Sequence, residues 1–465
     1  MEIPPHPSGS EISTLSPKVK CWHAGTLTYT TGGLVLLFCW LLWGDFAWSL
    51  RDRATPSILM VLLKKFEASD TFTAICMGSL PSALGLIVTP VISYLSDRHR
   101  GPWGRRIPYI LLALPFFVIS LLGLAFSPAL GAFTDKMLGA HSFGLNSTVL
   151  MFLMGFWALY DLSNSMAAPV FGGLVNDVVP EALMGRFYAL FRALSLVAGI
   201  IFNHWIFGKA EGHTMEIFIA LALVFGFGFT LMCLKVQEGH YPPPPPREEG
   251  GSIAKFLQAA KTFCIDCYGK SFYRWFYGAF SLSWTASVPF QLFAYYYAGS
   301  LHIDDATYGK FGALTLGISL VLAYPLGILA DRFHPLRLGI AVQIIYAVDL
   351  LLSAIFVVNP HTFGIALVVN GVIFGTWSTA VASVSQRLMP KGKYAQYCAG
   401  GFLVGSILGM MISPLYGIAL DHLHHHYRYT FLMSFGIAVA SIAALLVLHA
   451  KFMAHGGPEH YVAPE

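Results

Sequence analysis

Charged residues are scarce in this chain. Of its 465 residues only 11% are Asp, Glu, Lys or Arg, whereas 56% are hydrophobic, and the mean hydropathy is +0.63. A soluble domain needs far more charge on its surface, so this composition excludes one. The sequence also lacks a Walker A motif, a glycine-rich phosphate loop and a zinc-protease motif. It therefore predicts neither nucleotide hydrolysis, nor an enzyme, nor a bound cofactor.

Cysteines are few as well. The seven are scattered and lie mostly in apolar segments, where they act as small hydrophobic residues rather than as a disulfide framework. Cys264 and Cys267 have metal-like spacing without a second pair, and the histidine-rich run from Asp421 to His426 is more simply interpreted as a solvated turn. No metal site is predicted. The N-terminal residues lack an apolar core followed by a cleavage site, so we expect no removable signal peptide.

Long apolar runs are abundant. Twelve segments reach the ~20 residues that a helix needs to cross a bilayer, six on each side of a polar stretch with five consecutive prolines, Pro242 to Pro246. This pattern predicts an all-α membrane protein in which twelve transmembrane helices form two six-helix bundles, acting as a monomer. The predicted parts are a tail (1–29), the N-terminal bundle (30–235), a linker (236–270), the C-terminal bundle (271–450) and a second tail (451–465).

The basic residues predict the orientation in the membrane. With the N-terminus inside, most of the 28 lysines and arginines fall on the inner side, as cytoplasmic loops require. Both termini, both tails and the linker are then cytoplasmic, in the cell membrane. This topology also explains the net charge of +4, so no nucleic-acid partner is expected.

An Asp-Arg pair follows an apolar span twice, about half the chain apart, which indicates duplication. The first copy, Asp97-Arg98, continues to Arg105 and Arg106, and the second is Asp331-Arg332. Both copies face the cytoplasm in the predicted topology. Because a duplicated bundle is typical of transporters, we expect these six residues to gate it by forming a latch between the bundles.

Ionisable residues inside spans are the strongest functional signal, because such a side chain must face a cavity or a partner. Asp45 lies in the first span, Asp161 with Asn164 on one face of the fourth, and Arg192 on a polar face of the fifth. Asp161 and Arg192 are predicted partners. The alternative is a buried ion pair that only sets helix register. For Asp349 in the ninth span, a local hydrogen bond and a coupling role are equally good interpretations.

The second half of the chain supplies aromatic and amide groups at helical spacing. Trp284 and Gln291 belong to the seventh span, and Asn370 and Trp377 to the tenth. Sugars suit such walls, since their C–H faces stack on rings and their hydroxyls bond to amides and carboxylates. Plain packing is the alternative for each aromatic residue.

Three stretches of sequence resemble a known family. They are the loop from Ser96 to Tyr109, the segment from Phe156 to Pro169 and Arg192, and they are similar to the sucrose:proton symporter branch of the glycoside-pentoside-hexuronide:cation symporters, within the major facilitator superfamily. The resemblance implies that Asp161 and Arg192 serve proton coupling and sugar binding and that Asp45 contacts the sugar. Sodium-coupled relatives carry carboxylates on the second helix, which has none here from Thr71 to Ser96.

Proton-coupled import of an oligosaccharide or glycoside by alternating access is thus the leading hypothesis, with sugar, proton and lipid bilayer as partners. The alternative is a facilitator or exporter of the same fold for sugars, uronates or amphipathic compounds. A uronate is considered because Arg51 and Arg53 lie near the outer end of the first span. A membrane sensor would need a large folded appendage, and the linker and tails are too short and proline-rich for one.

Overall fold

The computed structural model describes residues 21–243, 253–390 and 393–464. A small antiparallel hairpin, β1 (Cys21–Ala24) and β2 (Leu27–Thr30), pairs Cys21 with Thr30. In the described ranges, the other regular elements are helices. The hairpin and the start of the linker are joined, because the His240 backbone N–H donates to Thr26 Oγ1 at 2.8 Å.

The N-terminal bundle contains seven α-helices. A π-helical turn (Ile75–Ser79) joins the second to the third as one span, and a similar turn (Phe202–Ile206) prolongs the sixth. The helices are α1 (Thr31–Lys65), α2 (Asp70–Ala74), α3 (Leu80–Arg98), α4 (Ile107–Leu138), α5 (Leu145–Val178), α6 (Met184–Ile201) and α7 (Ala210–Lys235).

The C-terminal half repeats this plan with one broken span. The break falls at Ala286-Ser287, just before Pro289, which lacks a backbone N–H and is best accommodated in the first turn of a helix, where no hydrogen bond is lost. The helices are α8 (Ile253–Tyr268), α9 (Ser271–Thr285), α10 (Val288–Ser300), α11 (Asp305–Phe333), α12 (Pro335–Phe356), α13 (Pro360–Val381), α14 (Val384–Leu388), α15 (Tyr394–His422), α16 (Tyr429–Ala454) and α17 (Gly457–His460).

The long helices make twelve crossings. Ten described segments are long and apolar enough to span a membrane. One of them, Glu181–Lys235, has 55 residues, about 80 Å at 1.5 Å per residue, so it holds two spans, α6 and α7. The broken pair α9 and α10 supplies the last span. The predicted fold class, two bundles of six transmembrane helices, is confirmed.

The domain boundaries remain predictions. Helix α1 begins at Thr31, α7 ends at Lys235 and α9 begins at Ser271. Helix α8 occupies part of the stretch predicted as linker. Residues 1–20 of the tail and 244–252 of the linker lie outside the described ranges.

Aromatic packing sets the rotation of α1. The Trp48 indole lies among four phenylalanine rings of the N-terminal bundle, with ring centroids 5.6–6.0 Å apart (Phe117, Phe171, Phe225 and Phe229). Rings that pack at this separation contribute beyond their buried area. With Trp48 held, the polar residues on either side of it in α1 are placed within the protein.

Glu238, just after α7, anchors the loop that leads into α4. Its carboxylate accepts the backbone N–H groups of Arg105, Arg106 and Ile107 at 2.7–2.9 Å. These donors lack partners within α4 because they lie at its first residue or just before it. Gly104 adopts φ +93°, and a Cβ there would collide with Glu238. A glycine is therefore required for the carboxylate to approach.

Glu238→Ala is expected to lower the free energy of unfolding by about 2 kcal/mol, because it leaves three backbone donors without their charged acceptor. Thermal unfolding of the purified protein in detergent measures the change. Tyr241→Phe is the matched control, since it removes only the hydroxyl that donates to Glu238 at 3.0 Å. A Glu238→Ala variant as stable as Tyr241→Phe would contradict the anchoring role.

Candidate functional site

A cavity of about 660 Å³ lies between the two bundles. Helices α1 and α6 contribute from the N-terminal bundle, and α9, α10, α11 and α13 from the C-terminal one. Its wall combines charged, amide, hydroxyl and aromatic side chains, among them Asp45, Trp48, Ser49, Asp52, Arg53, Arg192, Ser195, Trp284, Gln291, Thr315, Ser319, Phe374 and Ser378. The arrangement is that of a small-molecule site at a bundle interface.

Four of the predicted binding residues line this cavity, and four do not. Asp45, Arg192, Trp284 and Gln291 are in its wall. The others are packed inside the bundles behind it: Asp161, Asn164, Asn370 and Trp377. Helical spacing placed all eight on polar or aromatic faces but could not tell a face that lines the cavity from one turned toward a neighbouring helix of the same bundle.

The cavity contains a buried carboxylate. Asp45 is only 1% exposed, and its Oδ1 accepts a hydrogen bond from Ser49 Oγ at 3.3 Å. Its Oδ2 is buried without a hydrogen-bond partner. A buried carboxylate oxygen costs free energy until a donor reaches it, so Asp45 is ready to accept a hydroxyl or a proton.

The positive charges in this cavity are the guanidinium groups of Arg53 and Arg192. Arg192 donates from Nη2 to Thr379 Oγ1 of α13 at 3.0 Å, a bond between the bundles. Arg53 and Asp52 of α1 line the same cavity as Arg192. Like charges in the wall of one cavity repel, so an acceptor such as a hydroxyl or carboxylate between the two guanidinium groups is favoured.

An aromatic wall lies on the C-terminal side. Trp284 is 58% exposed, with its ring centroid 5.3 Å from that of Phe374 and 6.3 Å from that of Trp377. An indole with an open face beside polar groups is the surface that a sugar ring stacks on.

Asp161 lies behind the cavity wall beside a cation that helical spacing alone did not assign to it. The acidic group is 6% exposed and its Oδ2 is buried without a partner. Arg51 of α1 packs against the same turn of α5, since it donates to Asn164 and its guanidinium lies 5.2 Å from the ring centroid of Tyr160. Arg192, the predicted partner, is instead bonded to Thr379. The structure therefore does not bring Asp161 and Arg192 together as an ion pair.

Asp349 has a hydrogen-bond partner on the neighbouring helix, as the interpretation of a local hydrogen bond required. Asn370 Nδ2 donates to Asp349 Oδ2 at 3.2 Å, and Tyr346 OH lies 3.5 Å from Asn370 Oδ1. These contacts join α12 to α13. Asn370 is thereby engaged inside the C-terminal bundle and does not reach the cavity.

The predicted gating residues of the first Asp-Arg motif form a network inside the N-terminal bundle. Arg105 binds Asp177 with two hydrogen bonds, at 2.6 and 3.0 Å. Arg106 bonds to Asp177 and Ser96 and pairs with Asp97. Asp97, Arg105 and Arg106 therefore do not bridge the bundles in this conformation.

Two of the remaining predicted gating residues, Arg98 and Arg332, lie beside aromatic rings. The guanidinium of Arg98 lies 5.3 Å from the Tyr94 ring centroid, and that of Arg332 lies 5.6 Å from the Phe333 ring centroid. The side chain of Asp331 is outside the described set. We call the end of the molecule that carries Arg98 and Arg332 the motif end.

The bundles are joined at the opposite end by a group that we call the cross-bundle clasp: Asp70, Thr71, Asp421, His425 and Tyr427. Asp421 of α15 accepts the backbone N–H groups of Asp70 and Thr71 at 2.9 and 3.0 Å and also the Thr71 hydroxyl. Asp70 in turn bonds to His425 Nδ1 at 2.7 Å and Tyr427 OH at 3.1 Å. Asp421 thus caps a helix of the other bundle.

This clasp changes the interpretation of the histidine-rich loop. The loop was expected to be a solvated turn, but Asp421 and His425 pack against α2. Ligand-type atoms of Asp70, Asp421 and His425 lie within 4.8 Å of one another, close enough to surround a metal ion. Hydrogen bonds already engage both carboxylates, so the arrangement is explained without one.

Two helical bundles around a central polar cavity define a membrane transporter. The Major Facilitator Superfamily model matches residues 46–407, and the chain belongs to that superfamily. It is a multi-pass membrane transporter and not an enzyme.

Relatives and solved structures support this assignment. A sucrose transport protein of Oryza sativa subsp. indica is 26% identical over 128 residues, 27% of this chain and 23% of that protein. The general alpha-glucoside permease of Schizosaccharomyces pombe is 24% identical over 293 residues, 59% of this chain and 50% of the permease. The matches thus span a quarter to a half of these relatives. The inward-open xylose transporter of E. coli shares the fold, with a TM-score of 0.63 and 12% identity over 89% of this chain and 96% of that one.

Proposed function

We propose that this transporter imports a sugar together with protons by alternating access across the cell membrane, with both termini in the cytoplasm. The observation that carries the proposal is the cavity between the bundles. It sets an exposed indole, Trp284, opposite a buried carboxylate with a free oxygen, Asp45.

The chemistry of the cavity suits a saccharide. Its volume falls within the ~300–1,000 Å³ of small-molecule pockets. Trp284 offers a stacking face, while Asp45, Gln291 and Ser319 offer hydrogen bonds in several directions. The sucrose and alpha-glucoside transporters among the relatives support a glycoside or oligosaccharide as the cargo.

Asp161 is our candidate for the proton carrier. It is buried and has an unpartnered oxygen, so gain or loss of a proton changes the charge of the bundle interior. The span of α2 and α3 has no carboxylate between Thr71 and Ser96, which favours protons over sodium.

The contacts between the bundles suggest which state the structure represents. The cross-bundle clasp holds them together at the end opposite the motif end, and Ser79 Oγ adds a bond to the Met410 carbonyl at 2.9 Å. The first Asp-Arg motif stays within its own bundle. We propose that this is the inward-open state and that the six predicted gating residues meet across the bundles when the transporter faces outward.

Uptake into proteoliposomes tests the proposal. Labelled sucrose, maltose, glucose and glucuronate are supplied with and without an imposed pH gradient, while external pH is recorded. We expect one neutral saccharide to accumulate only with the gradient, with alkalinisation of the medium when it is added. Uptake that merely equilibrates would indicate a facilitator. Preference for glucuronate would indicate the acidic cargo that the paired cations Arg53 and Arg192 could bind.

A further inference from the structure

We propose that Arg51, rather than Arg192, is the counter-ion that controls the proton on Asp161, and that Asp52 relays the state of this pair to the cavity. Arg192 then serves the cargo. The inference rests on the proposed proton coupling, and it separates a buried proton site from the cargo site.

Arg51 is the most enclosed cation that the structure describes. Its side chain is 0% exposed, and aromatic rings surround the guanidinium carbon, with centroids 4.1 Å away for Trp48 and Phe117, 4.5 Å for Phe225 and 5.2 Å for Tyr160. Ring faces attract a cation but do not satisfy its N–H groups. Nη2 donates to Asn164 Oδ1 at 2.9 Å, whereas Nε and Nη1 are buried without partners.

The unsatisfied donors of Arg51 and the unsatisfied acceptor of Asp161 lie along the same turn of α5. Asn164, which binds Arg51, is three residues after Asp161 on the same face of α5. Tyr160, whose ring contacts the guanidinium, is the residue before Asp161. If the Asp161 carboxylate were ionised, it would attract the Arg51 guanidinium into a close ion pair, because an unpaired buried charge costs free energy. The two side chains form no ion pair in this conformation, and we assign this arrangement to a protonated, neutral Asp161.

Asp52 connects this pocket to the cavity. Arg51 Nη2 lies 3.8 Å from Asp52 Oδ1, and the Asp52 side chain is 54% exposed and lines the cavity wall. Arg53, the next residue in α1, lines the same cavity. Opposite charges therefore alternate along a short path that runs from Asp161 through Arg51 and Asp52 to Arg53.

This row of alternating charges would make proton binding at Asp161 favour sugar binding in the cavity, as symport requires. When Asp161 holds the proton, Arg51 is free to pair with Asp52, and Arg53 is released to bind cargo. When Asp161 gives up the proton, Arg51 moves to it, and Asp52 is left to pair with Arg53, which blocks the cargo site. Proton and sugar then strengthen each other's binding, and by linkage the effect is reciprocal.

Infrared titration of the Asp161 carboxyl group tests the role of Arg51 in the absence of sugar. The band of the protonated carboxyl, assigned by its loss in Asp161→Asn, is followed in purified protein as pH rises. In Arg51→Gln we expect it to persist to a pH at least about one unit higher than in the wild type, a tenfold change in proton affinity, because no cation favours the ionised form. Arg51→Lys should restore most of the wild-type titration. Arg192→Gln should leave it unchanged.

Asp52→Asn tests the relay and keeps Arg51 in place should the Arg51 variants fail to fold. We expect the Asp161 band to remain but to disappear at a lower pH than in the wild type, because the Asp52 carboxylate no longer competes for Arg51. The variant should also lose the pH dependence of sucrose or maltose binding measured by calorimetry. An Arg192→Gln variant that shifts the band while Arg51→Gln does not would overturn the inference. If instead the wild type transports sugar with no pH change in the medium, the proposed function fails, whatever the band shows.

Discussion

Asp161→Asn is expected to lower the accumulation of sugar against a gradient by tenfold or more, while sugar exchange continues. Asparagine has the shape of the carboxyl group but cannot take up or release a proton. The variant therefore resembles the permanently protonated carrier, which binds and exchanges sugar but cannot return empty and proton-free. Uphill uptake and counterflow in the same proteoliposomes separate the two activities.

Asp349→Asn is the matched control. It neutralises a carboxylate inside a span of the C-terminal bundle, where Asn370 donates a hydrogen bond to it. We expect this variant to accumulate sugar nearly as well as the wild type. If Asp161→Asn accumulated sugar fully and Asp349→Asn did not, the proton carrier would have to be Asp349, in the C-terminal bundle.

Asp421→Ala is expected to shift the transporter toward the state that is open at the end opposite the motif end. The substitution removes a carboxylate that accepts two backbone N–H groups and a hydroxyl from α2 across the bundle interface. Loss of these charge-assisted bonds costs the closed state about 3 kcal/mol, which corresponds to a shift on the order of a hundredfold in the conformational equilibrium. Spin labels placed on α2 and α15 report the change as a longer distance between them.

Asp304→Ala provides the control for this effect. Asp304 also caps a helix, accepting the Thr307 backbone N–H at 3.0 Å, but within its own bundle. It should cost about 1 kcal/mol of stability without moving the labels. Gly417→Ala is an independent test, because its Cβ would collide with the backbone of Asp70 and Thr71 and wedge the interface apart. Unchanged label distances in both Asp421→Ala and Gly417→Ala would show that the clasp does not hold this end closed.

Much of the site could be predicted because helical phase is a local property. Asp45, Arg192, Trp284 and Gln291 lie on polar or aromatic faces that sequence spacing identifies, and all four line the cavity. The same reasoning put Asp161 on a polar face but chose its partner by proximity in the chain order of the helices. Arg51 could have been suspected only from its position one helical turn after Trp48, since its neighbours come from four different helices.

By itself, the sequence determined the membrane class, the twelve spans, the two halves and the duplicated motif, because hydropathy and repetition are properties of consecutive residues. The tertiary structure alone decided that Arg51 packs against the turn of α5 that carries Asp161, that Arg192 lines the cavity, and that Asp421 caps a helix 351 residues earlier in the chain. Such contacts depend on how far each helix is rotated and shifted against its neighbours. Those displacements are set by the packing of whole bundles, and no local pattern encodes them.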